Sequence, residues 1–172
     1  MTDPTRRSFE RFYEEVKDRV WQTLLVTGRD PTRAEDAVAE AFARAFERWV
    51  TVGVMENPVG WVIQVAVNRF NSDWRIWRRE LPEPPQDAAA SDPESFDSDL
   101  ARLVWGLPRR QRQVVALRVI ADLSEDETGR ILGISPKTVS VHLHRALGSL
   151  RQKMRPPPTE EEQWKTQTSP LE

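Results

Sequence analysis

Thirty residues, Ser124 to Lys153, leave a chain little choice of local structure. Ser124 can cap a helix, and Glu127 three residues on completes a capping box that satisfies two backbone N–H groups at once. Gly133 stands where the chain must turn sharply, a conformation glycine enters without a Cβ clash. Ser135 can cap a second helix, with Pro136 at its first position, where a missing N–H costs nothing. Along that helix Val139, Leu143 and Leu150 repeat at helical spacing. Between them lie Lys137, Thr138, Ser140, His142 and Arg145, most of them short or basic. The stretch is predicted to fold as helix, tight turn and helix. Such a face suits insertion into a DNA major groove. The plain alternative is a helical hairpin with a solvated face.

Charge favours the first reading once it is divided along the chain. The net charge of the 172 residues is only −2. Residues 101–155 carry +7, residues 80–100 carry −7, residues 156–172 carry −3 and residues 1–79 carry +1. The helix-turn-helix is thus strongly basic and adjoins an acidic tether, a segregation that the total conceals. Several other chemistries are excluded. No cysteine is present, so disulfides, thiolate ligands and thiol nucleophiles are absent. His142 and His144 are two apart on one helix and do not share a face. Seven glycines include no phosphate-cradling loop. The acidic clusters Glu14-Glu15 and Glu125-Asp126-Glu127 fall on exposed faces or at a helix start, where carboxylates favour the dipole. No catalytic residue, metal or cofactor is expected. No run of 18 apolar residues exists, so no membrane span is expected. The first residues lead into an amphipathic pattern rather than a signal segment, which predicts a cytoplasmic protein.

The rest of the chain reads as helices. Phe9, Phe12, Tyr13, Val16, Val20 and Leu24 mark one face of a helix over about residues 8–27. Gly28 ends it. Thr32 and Glu35 read as a second capping box, opening a helix over about 33–50 whose many alanines permit close packing. Thr51 to Glu56 reads as a loop. Asn57 caps and Pro58 opens a helix over about 58–79. Its second half interleaves amides, arginines and tryptophans. Cations can meet phosphates there and flat rings can stack on unpaired bases. The plain alternative is a helix end where arginines favour the dipole and tryptophans fill a core. Leu81 to Asp99, rich in proline and acid with no apolar periodicity, reads as a flexible linker. Leu100, Leu103, Val104 and Leu107 resume a helical face, and Pro108 opens another helix before the helix-turn-helix. Three prolines after Arg155 stop the last helix, and the tail is predicted to be disordered. The fold class expected is all-α: two small helical domains, 1–80 and 100–155, joined by the acidic linker 81–99 and followed by a tail, 156–172. Both domains are small enough that each is expected to lean on a partner for full order.

Together these features resemble the bacterial ECF (extracytoplasmic-function) sigma factors, over about residues 8–154. Residues Ala34 to Phe42, Ala-Glu-Asp-Ala-Val-Ala-Glu-Ala-Phe, are similar to the family's region 2.2. Asn57 to Arg69 resembles the segment leading into the helix that reads the −10 element. Leu107 to Val114 resembles the start of region 4, and Thr138-Val139 with His144-Arg145-Ala146 matches its recognition helix. The resemblance implies an alternative sigma factor that binds core RNA polymerase through clamp and flap, recognises promoter DNA and promotes its melting. Asp36, Ala39, Glu40 and Phe42 would contact the polymerase clamp. Asn68 would read a flipped base of the −10 element, with Arg69, Trp74, Arg75, Trp77, Arg78 and Arg79 on the melted strand and its backbone. Val50 to Glu56 would form the specificity loop. Lys137, Thr138, Ser140, Val141, His144 and Arg145 would face the −35 element. The acidic linker would run through the polymerase's basic cleft and RNA exit path. An anti-sigma factor is a further partner such a protein can have.

Four positions depart from the family pattern, one of them Leu147, at a less regular basic position of the recognition helix. Ser140 and His142 replace usual basic residues, which lowers the number of phosphate contacts and flattens salt dependence. Ala39 replaces a usual glutamine in region 2.2. Residues Ile134 to His142 also resemble the helix-turn-helix of LuxR-type regulators, a second reading that the Asp36 and Asn68 segments oppose. A sigma-like module that only sequesters a partner is a third.

Overall fold

The structure, a computed structural model, describes the backbone of residues 3–80 and 99–154 and the side chains of residues 4–71 and 102–154. The described residues form an all-α fold without strands. The linker 81–99, apart from the backbone of Asp99, and the tail 156–172 lie outside them.

Helix α1 (Asp3–Gly28) buries Val16, Val20 and Leu24. Thr23 and Thr27 are buried on the same helix because each hydroxyl donates to the carbonyl four residues back, at 2.7 Å. Gly28 ends the helix beneath the Phe70 ring, and a Cβ there would lie 1.9 Å from a ring carbon. Helix α2 (Pro31–Glu47) starts two residues earlier than the predicted box at Thr32 and Glu35. Asp30 is the cap instead, its carboxylate accepting the Arg33 N–H at 3.0 Å, and Pro31 takes the first helical position. Ala34, Ala37, Ala41 and Ala45 are essentially inaccessible and let α2 lie close against α4. The predicted single helix to residue 50 breaks at Arg48. A short helix α3 (Trp49–Val52) follows, turning Trp49 back onto Phe9 and Phe12. Helix α4 (Pro58–Glu80) is capped as expected, with Asn57 Oδ1 accepting the Gly60 N–H at 2.8 Å. It buries Val62, Ile63, Ala66, Val67 and Phe70.

Beyond the linker, α5 (Asp99–Trp105) and α6 (Arg109–Val115) meet at a turn held from inside. Arg112, only 6% exposed, donates Nη1 to the carbonyls of Trp105 at 3.2 Å and Leu107 at 3.1 Å. The chain then widens into a π-helical turn, Ala116–Ile120, closed by Ala121 N–H to the Ala116 carbonyl at 3.0 Å. That turn carries Leu117, Ala121 and Leu123 inward together. Helix α7 (Glu125–Leu132) shows the full capping box between Ser124 and Glu127, and Gly133 takes the left-handed conformation with φ 66°. Helix α8 (Pro136–Met154) completes the motif, with Ser135 Oγ accepting the Thr138 N–H at 3.1 Å.

Two separate cores are not what forms. Val16, Val20 and Leu24 of α1 share one buried cluster with Val114, Leu117, Ala121, Leu123 and Val139. The partner on which each small helical group leans is the other group. A second, smaller cluster of Leu107, Val115, Ala146 and Leu150 ties α8 to α6.

Candidate nucleic-acid interface

Helix α8 has an inner and an outer face. Val139 and Ala146 are fully buried and Leu150 nearly so, which anchors the inner face. Lys137, Ser140, Val141, His144 and Arg145 are all exposed and recur at i, i+3, i+4, i+7 and i+8, one stripe of the helix. The stripe offers two cations, one imidazole, one hydroxyl and one apolar contact of the kind that meets a thymine methyl. Two residues beside the stripe are less exposed. Thr138 is half-buried and its hydroxyl is engaged with Ser135 Oγ at 2.8 Å, so it serves the cap. His142 is half-buried, with its Nδ1 lacking a hydrogen-bond partner, so it is less available to solvent than its neighbours Val141 and His144.

On the other helical group, Asn68 is exposed on α4. Arg69, expected to hold the backbone of the melted strand, donates Nε to Glu40 Oε2, and Arg44 donates to the other oxygen of the same carboxylate. A predicted DNA contact and a predicted polymerase contact therefore hold each other, joining α4 to α2. The backbone of α4 continues through Trp74, Arg75, Trp77, Arg78 and Arg79, whose side chains lie outside the described residues. Asp36 and Ala39 are exposed on α2 and Glu40 is half-buried. Phe42 is a correction. It is 4% exposed, packed against Phe12 and Tyr13, so it shapes the helix pair rather than presenting a surface ring.

Helix α3 takes up Val50 to Val52 of the expected loop, and α3 with the turn after it carries an unusual surface. Val50 and Val54 are 76% and 82% exposed, and Met55 is also open. A cleft of about 380 Å³ lies between Glu47, Arg48, Val50, Thr51, Val52, Met55 and Trp61. These apolar side chains stand open to water beside the Trp61 ring. Sequence periodicity could not find them, because a loop has none.

Glu127 is held in a distinct electrostatic state. Burial pushes its carboxyl up, but the N–H and hydroxyl of Ser124, the Asn57 amide and Arg130 outweigh this and hold it below its ordinary value. Among the described residues no cluster of histidines and carboxylates could hold a metal. No described helix is long and apolar enough to cross a membrane.

Known proteins match this arrangement at three levels. The family model for sigma-70 region 4 matches residues 98–150, which include the helix-turn-helix. The RNA polymerase sigma-E factor of Streptomyces coelicolor is 31% identical over 152 residues, covering 85% of each chain. The ECF RNA polymerase sigma factor SigW of Bacillus subtilis is 25% identical over 170 residues, covering 86% of this chain and 89% of its own. Among solved structures, the sigma factor RpoE of Bartonella quintana, crystallised with the anti-sigma factor NepR, shares the fold. Its TM-score is 0.66 at 19% identity, over 86% of this chain and 98% of that one. Similarity along nearly the whole chain, with a basic helix-turn-helix at its matched end, shows that this chain belongs to the ECF group of RNA polymerase sigma factors.

Proposed function

We propose that this sigma factor binds core RNA polymerase, places the outer stripe of α8 on the −35 element, and opens the −10 element at Asn68 and the loop 50–56. The observation that carries this reading is the loop. Val50, Val54 and Met55 expose apolar surface beside the Trp61 cleft, about two turns of helix away from Asn68. An unpaired base has apolar faces and polar edges, so it suits apolar walls with an amide nearby. On α8, the sealed inner face leaves Lys137, Ser140, Val141, His144 and Arg145 for the duplex. Asp36, Ala39 and Glu40 form the surface assigned to the polymerase clamp, and the flap is assigned to the helix-turn-helix group. An anti-sigma partner is consistent with the complexes in which structural neighbours were solved.

In vitro transcription tests this. Core polymerase with the full chain should yield a discrete transcript from promoters mapped by 5′ ends after overexpression. Asn68→Ala should lower open-complex formation about tenfold or more while leaving core binding intact. Unchanged opening by the variant would remove Asn68 from the mechanism. A footprint by the protein alone, without any core-dependent transcript, would favour the LuxR-type reading.

A further inference from the structure

Away from the surfaces assigned to DNA, one cavity gathers cations from three elements. Arg29 just past α1, Arg102 in α5, and Arg109 and Arg112 in α6 line a space of about 590 Å³ around the turn 106–108. Among the described residues no carboxylate lines it. The two clefts at Trp61 differ in this respect. Glu47 stands in the wall of one, and Glu56 and Glu127 stand in the wall of the other. A further cation lies beside the turn, since a Cβ built on Gly106 would sit 3.3 Å from Lys153 Nζ. Like charges crowded around one concave space focus a positive potential there and draw an anion.

The backbone is strained to place Arg29 at this cavity. Its φ is 60°, a left-handed conformation that a side chain disfavours. Gly28 could take that conformation freely, but it lies beneath the Phe70 ring instead. Arg29 N–H still closes the helix, donating to the Leu25 carbonyl at 2.7 Å. Its guanidinium lies over the Trp105 ring, 5.7 Å from the centroid. Arg112 is buried and fixes the turn through the carbonyls of Trp105 and Leu107. Arg102 and Arg109 are exposed, so they stand at the mouth.

These groups select a class of ligand. An arginine fork matches two oxygens of a phosphate. A single phosphate carries about two negative charges, so a chain of about two or three phosphates matches the cations better. Small-ligand sites commonly enclose about 300–1,000 Å³, which leaves room here for a nucleotide. A DNA duplex fits less well. Lys153 stands about 12 Å along α8 beyond Arg145, where the outer stripe ends, and a concave space does not follow a rod.

We propose that this cavity is a binding site for an oligophosphate, either inorganic or the phosphate chain of a nucleotide. Arg102 and Arg109 make the first contacts at the mouth. Arg29 holds the chain from the α1 side, and Arg112 shapes the turn and adds its buried charge. The site stands apart from the promoter reading, because it requires neither DNA nor polymerase.

Calorimetric titration of the full chain tests this, with inorganic tripolyphosphate, GTP and ATP as probes in metal-free buffer at one ionic strength. Binding at one site per chain is expected. Equal affinity for the three probes marks the phosphate chain as the ligand. A nucleotide about tenfold tighter than tripolyphosphate, or more, marks the nucleotide as its source. Arg102→Gln and Arg109→Gln should each weaken binding about tenfold or more. Arg29→Gly removes the cation at a position where glycine is unstrained, so it should weaken binding similarly while circular dichroism shows an intact fold. Arg145→Gln, on the outer stripe of α8, should leave the affinity unchanged. Weakening by Arg145→Gln but not by Arg102→Gln would assign the anion to the DNA surface and overturn the site. Absence of binding by all three probes would overturn it too. The acidic linker is a competing anion within the same chain. A chain carrying Glu83→Gln, Asp87→Asn, Asp92→Asn, Glu94→Gln and Asp97→Asn should bind tripolyphosphate about as tightly as the parent. Binding seen only in that chain would make the linker the occupant and sink the oligophosphate site.

Discussion

Arg112 and Glu127 show how a charged side chain can be structural. The run Arg109-Arg110-Gln111-Arg112 reads in sequence as a basic surface. One of its members is instead buried and ties the α5–α6 turn through two carbonyls. Replacing Arg112 by alanine leaves both carbonyls without that donor and should cost about 2–3 kcal/mol in urea unfolding. A loss no larger than that of a surface arginine would show the contact to be incidental. Glu127 makes a pH statement. Its folded pKa lies below the ordinary 4.5 through the Ser124, Asn57 and Arg130 contacts, against a burial effect of opposite sign. Its stabilisation is therefore complete above the unfolded value and fades as pH falls through the lower folded one. Unfolding curves from pH 6 down to about pH 3 should show Glu127→Gln losing less stability on acidification than the parent chain. Parallel pH profiles would exclude Glu127 as a contributor.

At the level of the element, glycines report where helices are held tightly and where they are not. Gly129 lies in α7 against the turn of the helix-turn-helix, and a Cβ there would sit 2.7 Å from the Ile134 carbonyl oxygen. Gly129→Ala must push α7 and α8 apart and should destabilise by about 1–3 kcal/mol. Gly148 lies in α8 with open space around its missing Cβ. Gly148→Ala should stabilise by about 0.5–1 kcal/mol, since only helix propensity changes. Thermal melts of the two variants should move in opposite directions, and movement in one direction would contradict the packing described. The two helices of the motif were legible because capping residues, turn glycine and periodicity agreed at Ser124, Gly133, Ser135 and Val139. The start of α2 was misplaced because Asp30 and Thr32 are both competent caps, and Pro31 favours the earlier one as the residue before its first turn. The π turn at Ala116–Ile120 leaves no mark in residue spacing. It arises where Leu117, Ala121 and Leu123 must all reach one core.

For the molecule as a whole, the shared core predicts cooperative unfolding. Leu117 is fully buried beside α1 residues far away in sequence. Leu117→Ala should cost about 2–5 kcal/mol, and fluorescence and circular dichroism should still report one transition. Two separated transitions in the parent chain would mean that the helical groups fold independently. Local residue pattern alone determined the helical class, the helix-turn-helix, the charge segregation and the outer stripe of α8, because caps, turns and periodicity act within about one or two helical turns. Tertiary structure alone decided that Phe42 faces inward, that Arg69 pairs with Glu40, that Arg112 is buried, and that Asn57 meets Glu127. Each of these depends on which faces meet across the chain. Glu127 and Asn57 are 70 residues apart, and no local spacing encodes a contact of that reach.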